Sequence, residues 1–322
     1  MKKNLCLAFC VLLCSALVFA SGVSENKGRA EADYPVNAIQ FIVPFPLGGS
    51  TGTIAQSFVR FLDKEYSVDV VLNSVTGSGG SVGARQVLNS KADGYNFLIA
   101  VPGFAVQRVL QNLDFTFRDF EVVAAFASSE QVLVVKKDSP YNSFSELIAD
   151  AKANPGKVKF GAPMGTSLFM GVLAMQQELG VKFSIIDIGG VSVKAPELMS
   201  GRVDAYFDST AKTIPYINSN EFKAIGVWGP ERSAFLPDVQ ILKESGFNTL
   251  LEEVIGVWAP KGTPQAVIDS MNSAVKKICE DAAFKEEMKK IYTKVSYKNT
   301  ADYKSFLENY EADVRKNAAF IK

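Results

Sequence analysis

The sequence predicts an α/β protein built as two similar-sized lobes with mostly parallel sheets. The first observation behind this is an alternation of apolar strand, glycine-rich turn and amphipathic helix that starts near residue 38 and runs to about residue 101. The second is that the same alternation restarts near residue 131. The third is size and composition: 322 residues, 48% hydrophobic and 21% charged, describe a folded globular chain long enough for about two domains.

The N-terminus comes first. Lys2 and Lys3 precede a largely apolar run over residues 5–19, and Val18-Phe19-Ala20 puts small side chains at the −3 and −1 positions. This pattern predicts a signal peptide over residues 1–20, cut after Ala20, followed by a polar tether over 21–33. The run is too short for a membrane-spanning helix. Cys6, Cys10 and Cys14 fall inside the leader, so they are not read as a disulfide framework or metal site. A lipid anchor at Cys14 would want a small residue where Leu13 stands. Cys279 is then the one cysteine of the mature chain and reads as a buried, inert thiol.

Residues 38–43 read as a buried strand, broken by Pro44-Phe45-Pro46-Leu47-Gly48-Gly49, with Ser50 or Thr51 expected to cap the next helix. A second strand (68–72), a glycine loop at 77–81, a helix (82–88) and a third strand (96–101) follow. The second unit has a strand at 131–136, then a helix at 143–153 opened by Ser143 with Glu146 three residues on, a capping-box pattern. A strand at 158–162 turns through Gly165-Thr166-Ser167 into a helix ending near 179. Strands at 183–188 and 203–207 flank a Gly189-Gly190 turn and a short helix at 195–199. A strand at 255–260 and two or three helices complete the chain.

The chain has no histidine, which excludes Ser-His-Asp and Cys-His hydrolysis and imidazole acid-base chemistry. Its 34 basic and 34 acidic residues cancel, which argues against affinity for nucleic acid by net charge. No metal site, cofactor or catalytic residue is expected. The nucleotide motif is missing too: Gly77-Ser78-Gly79-Gly80-Ser81-Val82-Gly83 places its last glycine one position too late for a dinucleotide fingerprint. Four turns, at Gly48-Gly49-Ser50-Thr51, Gly77–Ser81, Gly165-Thr166-Ser167 and Gly189-Gly190, instead share one property. Each feeds a helix whose first N–H groups are unpaired and whose dipole favours an anion. Lys194 and Arg108 are candidates to reach a ligand carboxylate, and Phe45 is the aromatic most exposed to a ligand. Asp187, Asp204 and Asp208 do not read as an acid-base pair.

The stretch Ile42-Val43-Pro44-Phe45-Pro46-Leu47-Gly48-Gly49-Ser50-Thr51, with Gly77–Ala84 and Ala92-Asp93-Gly94-Tyr95, resembles the substrate-binding proteins of tripartite tricarboxylate transporters, the Bug receptors. Asn154-Pro155-Gly156-Lys157, Gly165-Thr166-Ser167, Gly201-Arg202-Val203-Asp204, Arg232 with Leu236-Pro237-Asp238-Val239, and Ala259-Pro260-Lys261-Gly262-Thr263-Pro264 continue the likeness to the end of the chain. The resemblance implies a periplasmic-binding-protein-like, type II Venus-flytrap fold. Lobe 1 would hold residues 34–127 and 246–322, and lobe 2 residues 128–245. It implies a monomeric, non-enzymatic extracytoplasmic receptor that captures a small organic carboxylate between the lobes and delivers it to an integral-membrane permease. Carried across, the ligand-binding residues are Phe45, Pro46, Gly48, Gly49, Ser50, Thr51, Gly103, Phe104, Gly165, Thr166, Ser167, Asp208 and Ser209.

This sequence departs from the family at Gly52, where Asp is usual, at Thr76, and at Leu168-Phe169, where polar residues usually follow Gly-Thr-Ser. These departures shift the expectation toward a less charged or more apolar acid. Two other classes remain open at this level: a secreted enzyme on a similar fold with a Ser-Lys or carboxylate site, and a ligand-binding sensory protein. With no imidazole to titrate, affinity is expected to be flat from about pH 6 to 8.

Overall fold

The computed structural model describes residues 34–189 and 194–318. The expected signal peptide, the tether, Cys6, Cys10, Cys14 and Gly190 lie outside the described residues.

The chain opens with β1 (Ile39–Val43), α1 (Ser50–Glu65), β2 (Val70–Ser74), α2 (Ser81–Leu88), β3 (Asn96–Ala100), α3 (Phe104–Leu110) and β4 (Phe120–Ser129). It continues through β5 (Gln131–Lys136), α4 (Phe144–Ala153), β6 (Lys159–Gly161), α5 (Ser167–Leu179), β7 (Ser184–Ile186) and α6 (Lys194–Met199). Next come β8 (Ala205–Ser209), α7 (Thr210–Asn218) and β9 (Phe222–Trp228). The C-terminal part holds β10 (Glu253–Pro260), α8 (Gln265–Glu280), α9 (Ala282–Lys290), β11 (Lys294–Lys298) and α10 (Thr300–Ala318).

Two sheets form, one in the order β11-β4-β10-β3-β1-β2 and the other in the order β7-β6-β8-β5-β9. The expected two-lobed α/β class is what the chain adopts, but its sheets are mixed rather than mostly parallel. Pairings β1–β2, β1–β3, β6–β7 and β6–β8 are parallel; β10 runs antiparallel to β3 and β4, and β5 antiparallel to β8 and β9. The reversal comes where the chain passes between sheets, at 129–131 and again before β10, because a strand entering from the other lobe arrives with the opposite direction.

Each sheet is covered on both faces, which is why its strands read as apolar runs rather than alternations. Ile39, Phe41 and Val43 of β1 point into a core with Phe58 and Phe126, while Ile42 points into a second core with Leu98 and Trp258. The ten-residue β4, absent from the sequence reading, is the extreme case. Both of its faces are buried, so FEVVAAFASS shows no period-2 signal. α10 packs on both lobes: Tyr303 and Leu307 join the Trp258 core, and Tyr310 and Val314 join the core of the second sheet.

Local chemistry explains the element starts. Ser143 caps α4 by accepting from the Glu146 N–H at 3.2 Å, but the reciprocal half falls one residue earlier, with the Glu146 carboxylate accepting from the Asn142 N–H at 2.7 Å. Thr166 caps α5 through the Phe169 N–H. Neither Ser50 nor Thr51 caps α1. The cap position is Gly49 and no side chain bonds there, leaving the Ser50 hydroxyl free for another partner. Cys279 is buried and its thiol is pushed up to about 12 by burial, consistent with an inert side chain.

Candidate functional site

Parallel strands deliver their loops to one edge of each sheet, and in open α/β sheets ligands gather beyond the carboxyl ends of those strands. Here the ends of β1 and β3 face those of β6 and β8 across a cavity of about 190 Å³. Phe45, Pro46, Gly49, Ser50 and Thr51 line it after β1, and Gly103 and Phe104 after β3. From the other lobe come Gly165, Thr166 and Ser167 after β6, and Asp208 and Ser209 at the end of β8. Gly48 is the exception: it is exposed, and its carbonyl accepts from Lys212 Nζ at 2.9 Å instead of facing the cavity. Of the four glycine turns, three reach the wall, the second through Gly79; Gly189 does not.

The cavity is bridged by direct contacts between lobes. Ser50 Oγ and Ser209 Oγ share a hydrogen bond at 2.8 Å, and the Thr210 hydroxyl donates to the Tyr292 carbonyl at 2.7 Å. The Ser50 hydroxyl therefore spans the cleft at the start of α1, where the first-turn N–H groups have no side-chain cap. The α1 and α5 N-termini thus both border one space, the arrangement that binds an anion with fixed dipoles.

Gly52 lies directly behind the first turn. A Cβ there would sit 2.2 Å from the Pro46 carbonyl oxygen and 2.6 Å from Leu47 Cα, both backbone atoms that cannot swing away. The absence of a side chain at 52 therefore lets the Pro46-Leu47 turn fold onto α1. Gly52→Ala is expected to cost about 1–3 kcal/mol in a urea melt, through overpacking, and to displace Ser50 and Thr51 from the cleft. A variant as stable as the parent would sink this account.

Ten wall residues escaped the site expected from sequence: Ile54, Gly79, Val101, Gln107, Ser129, Gln131, Leu168, Lys194, Glu253 and Ile255. Of these, Lys194 is the one that the sequence offers as a carboxylate partner. Its ammonium lies 3.3 Å from Asp208 Oδ1 and 3.4 Å from the Phe207 carbonyl oxygen, with both side chains about nine-tenths buried. Arg108 stays exposed and donates to the Leu113 carbonyl. Asp204 receives the Lys159 N–H at 2.8 Å and Asp187 that of Gly189 at 3.1 Å, so neither joins the cavity. Of the two family departures after Ser167, Leu168 faces the cavity and Phe169 packs into the lobe core.

Gln131 and Glu253 carried no sequence signal because they begin antiparallel strands. The register pairs Gln131 with Ser209, and Gly256 with Ala100, so the amino ends of β5 and β10 arrive beside the carboxyl ends of their neighbours. The Ser167 hydroxyl donates to Glu253 Oε1 across the lobes. Burial raises the Glu253 carboxyl above its usual range, opposed by the Ser167 hydrogen bond and the Lys194 charge. The cleft thus holds a titrating group that the histidine count did not reveal. Ser167 and Lys194 are not joined as a nucleophile and base: the hydroxyl is engaged by Glu253 and the ammonium by Asp208. Gln107 is buried, its amide N–H₂ donating to the Gly79 carbonyl at 2.8 Å while Oε1 finds no partner among the described residues.

Two mixed α/β sheets whose loops and helix N-termini wall a half-open cleft between them have the architecture of a solute-binding receptor. The chain belongs to the tripartite tricarboxylate transporter family of receptors, whose model matches residues 54–322. It is 30% identical over 314 residues to a Cupriavidus necator protein described as "UPF0065 protein in gbd 5'region", covering 96% of this chain and 94% of that one. The solved periplasmic binding protein BugD is 27% identical and superposes with a TM-score of 0.73 over 89% of this chain and 97% of its own. A protein of R. palustris solved with adipate shares the fold, with a TM-score of 0.80 at 24% identity over 89% of this chain and 99% of its own.

Proposed function

We propose that the chain is an exported, extracytoplasmic receptor that captures a small organic carboxylate between its lobes and hands it, as a monomer, to the membrane permease of a tripartite tricarboxylate-type transporter. The observation that carries this reading is the meeting of the α1 and α5 N-termini, with the Ser50, Thr166, Ser167 and Ser209 side chains, on one cavity between the lobes. Family membership supports the permease partner, and the adipate in a structural neighbour agrees with the ligand class. Residues 34–127 with 246–322 act as one lobe and 128–245 as the other, and a ligand touching both walls favours closure by its differential affinity for the closed form. The cavity is somewhat larger than the roughly 150 Å³ that accommodates benzene, which fits a compact acid.

A thermal-shift screen of mono-, di- and tricarboxylates against neutral sugars tests the reading. A carboxylate present at a hundred times its Kd is expected to add about 2.7 kcal/mol of stability, visible as a raised Tm. Sugars that raise Tm while every carboxylate leaves it unchanged would show that the cleft does not bind anions.

A further inference from the structure

The charged groups of the cavity wall do not balance. Lys194 is committed to Asp208, which also accepts from the Ser209 N–H at 2.9 Å, so that pair is internally neutral. Glu253 stands in the same wall with no Lys or Arg in hydrogen-bond contact among the described residues. Its Oε1 receives the Ser167 hydroxyl, while its Oε2 makes no hydrogen bond among those residues. Its other titratable neighbours are Lys194, whose charge opposes the rise of the Glu253 carboxyl, and the Tyr303 and Tyr310 phenols of α10, both buried, both hydroxyls without a partner among the described residues, and both with ionisation further suppressed by the Glu253 charge. Glu252, the adjacent residue of the chain, has its carboxyl raised by burial, opposed by the Lys298 and Lys294 charges. An ionised Glu253 would therefore meet an incoming anion with a like charge in a partly desolvated space, which is strongly unfavourable.

Resting on the carboxylate reading above, we propose that Glu253 binds the ligand as a neutral carboxylic acid. Its Oε1 accepts from Ser167, and the acid proton on Oε2 is donated to a ligand oxygen. At any pH where the empty cleft holds Glu253 ionised, capture of one anion therefore takes up one proton from solvent, and no covalent bond changes. Burial already biases the empty cleft the same way, since it raises the Glu253 carboxyl. Gln at this position mimics the neutral acid in both roles, the amide oxygen accepting from Ser167 and the N–H₂ donating to the ligand.

The experiment uses a panel of straight-chain mono- and dicarboxylates, of three to six carbons, followed by isothermal titration calorimetry of the tightest binder from about pH 5.5 to 9.5, a range above most of the ligands' own titration. Above the Glu253 titration, Kd is expected to rise about tenfold per pH unit, and runs there in two cationic amine buffers of different ionisation enthalpy should give about one proton taken up per ligand. Glu253→Gln should bind with a Kd within about threefold of the parent's low-pH value and show no pH dependence. The folded variant is verified by its melt. Without ligand, parent stability should fall as pH rises from the ordinary glutamate range toward the raised one, because the folded state holds the extra proton there, and the variant should lack that part of the slope. Binding that is flat in pH with no proton uptake, or a variant that keeps the parent's pH dependence, overturns the inference and leaves the carboxylate reading standing. Affinity that increases with pH overturns it in favour of a cationic group pairing with ionised Glu253. If no acid in the panel binds at any pH, the carboxylate reading falls and the inference with it.

Discussion

Lys194→Met is expected to destabilise the second lobe by about 3–5 kcal/mol, read as a lower urea midpoint. The physical reason lies in what remains behind. Asp208 keeps only the Ser209 N–H at 2.9 Å among the described residues once the ammonium is gone, and it is 7% exposed, so water replaces little of the lost charge. The Phe207 carbonyl loses its donor at the same time. A buried pair need not be worth much in total, since two desolvated ions cost nearly as much as their attraction returns; breaking one side is what costs. The double variant Lys194→Met, Asp208→Asn should therefore recover at least half of the loss, a non-additivity that separates a broken ion pair from simple mispacking. A single variant within about 1 kcal/mol of the parent would mean that water or a rearranged neighbour satisfies Asp208.

Trp258→Ala is expected to cost the first lobe a similar amount, about 3–5 kcal/mol, by opening a cavity in its core. Trp258 is fully buried, with ring centroids 5.4 Å from Phe120 and 5.9 Å from Phe104. Phe104 also lines the ligand cavity, so removing its support should weaken ligand binding as well as stability. Trp258→Phe keeps most of the ring volume and removes an indole N–H that finds no partner among the described residues. It should cost less than about 1.5 kcal/mol, as a near volume-conserving swap does. Equal losses for the two variants would show that the indole N–H, and not ring volume, is what the core depends on.

Much of the fold and site was legible because it is encoded locally. Pro44 through Thr51 spell a strand end, a turn and a helix start, and in a parallel unit those are the places where a ligand can meet unpaired N–H groups. The same reasoning found Gly165-Thr166-Ser167, and Thr166 does cap α5. It misjudged the cap of α1, since Ser50 has the right chemistry to cap but spends its hydroxyl on Ser209, 159 residues away. β4 was invisible for a different reason: burial on both faces erases the alternation that marks a strand.

The class of the protein follows from short stretches of sequence: α/β, two lobes, glycine turns feeding helices, and no imidazole chemistry. Local backbone preferences and hydrophobic patterning are enough for that, because they act over a few residues. The electrostatics of the cleft follow instead from the folded arrangement. Lys194 meets Asp208, and Glu253 meets Ser167, through strands that reverse direction as the chain passes between lobes. Which charges are paired and which are left unpaired depends on register across those sheets and on burial, and neither quantity is written in any short stretch of sequence.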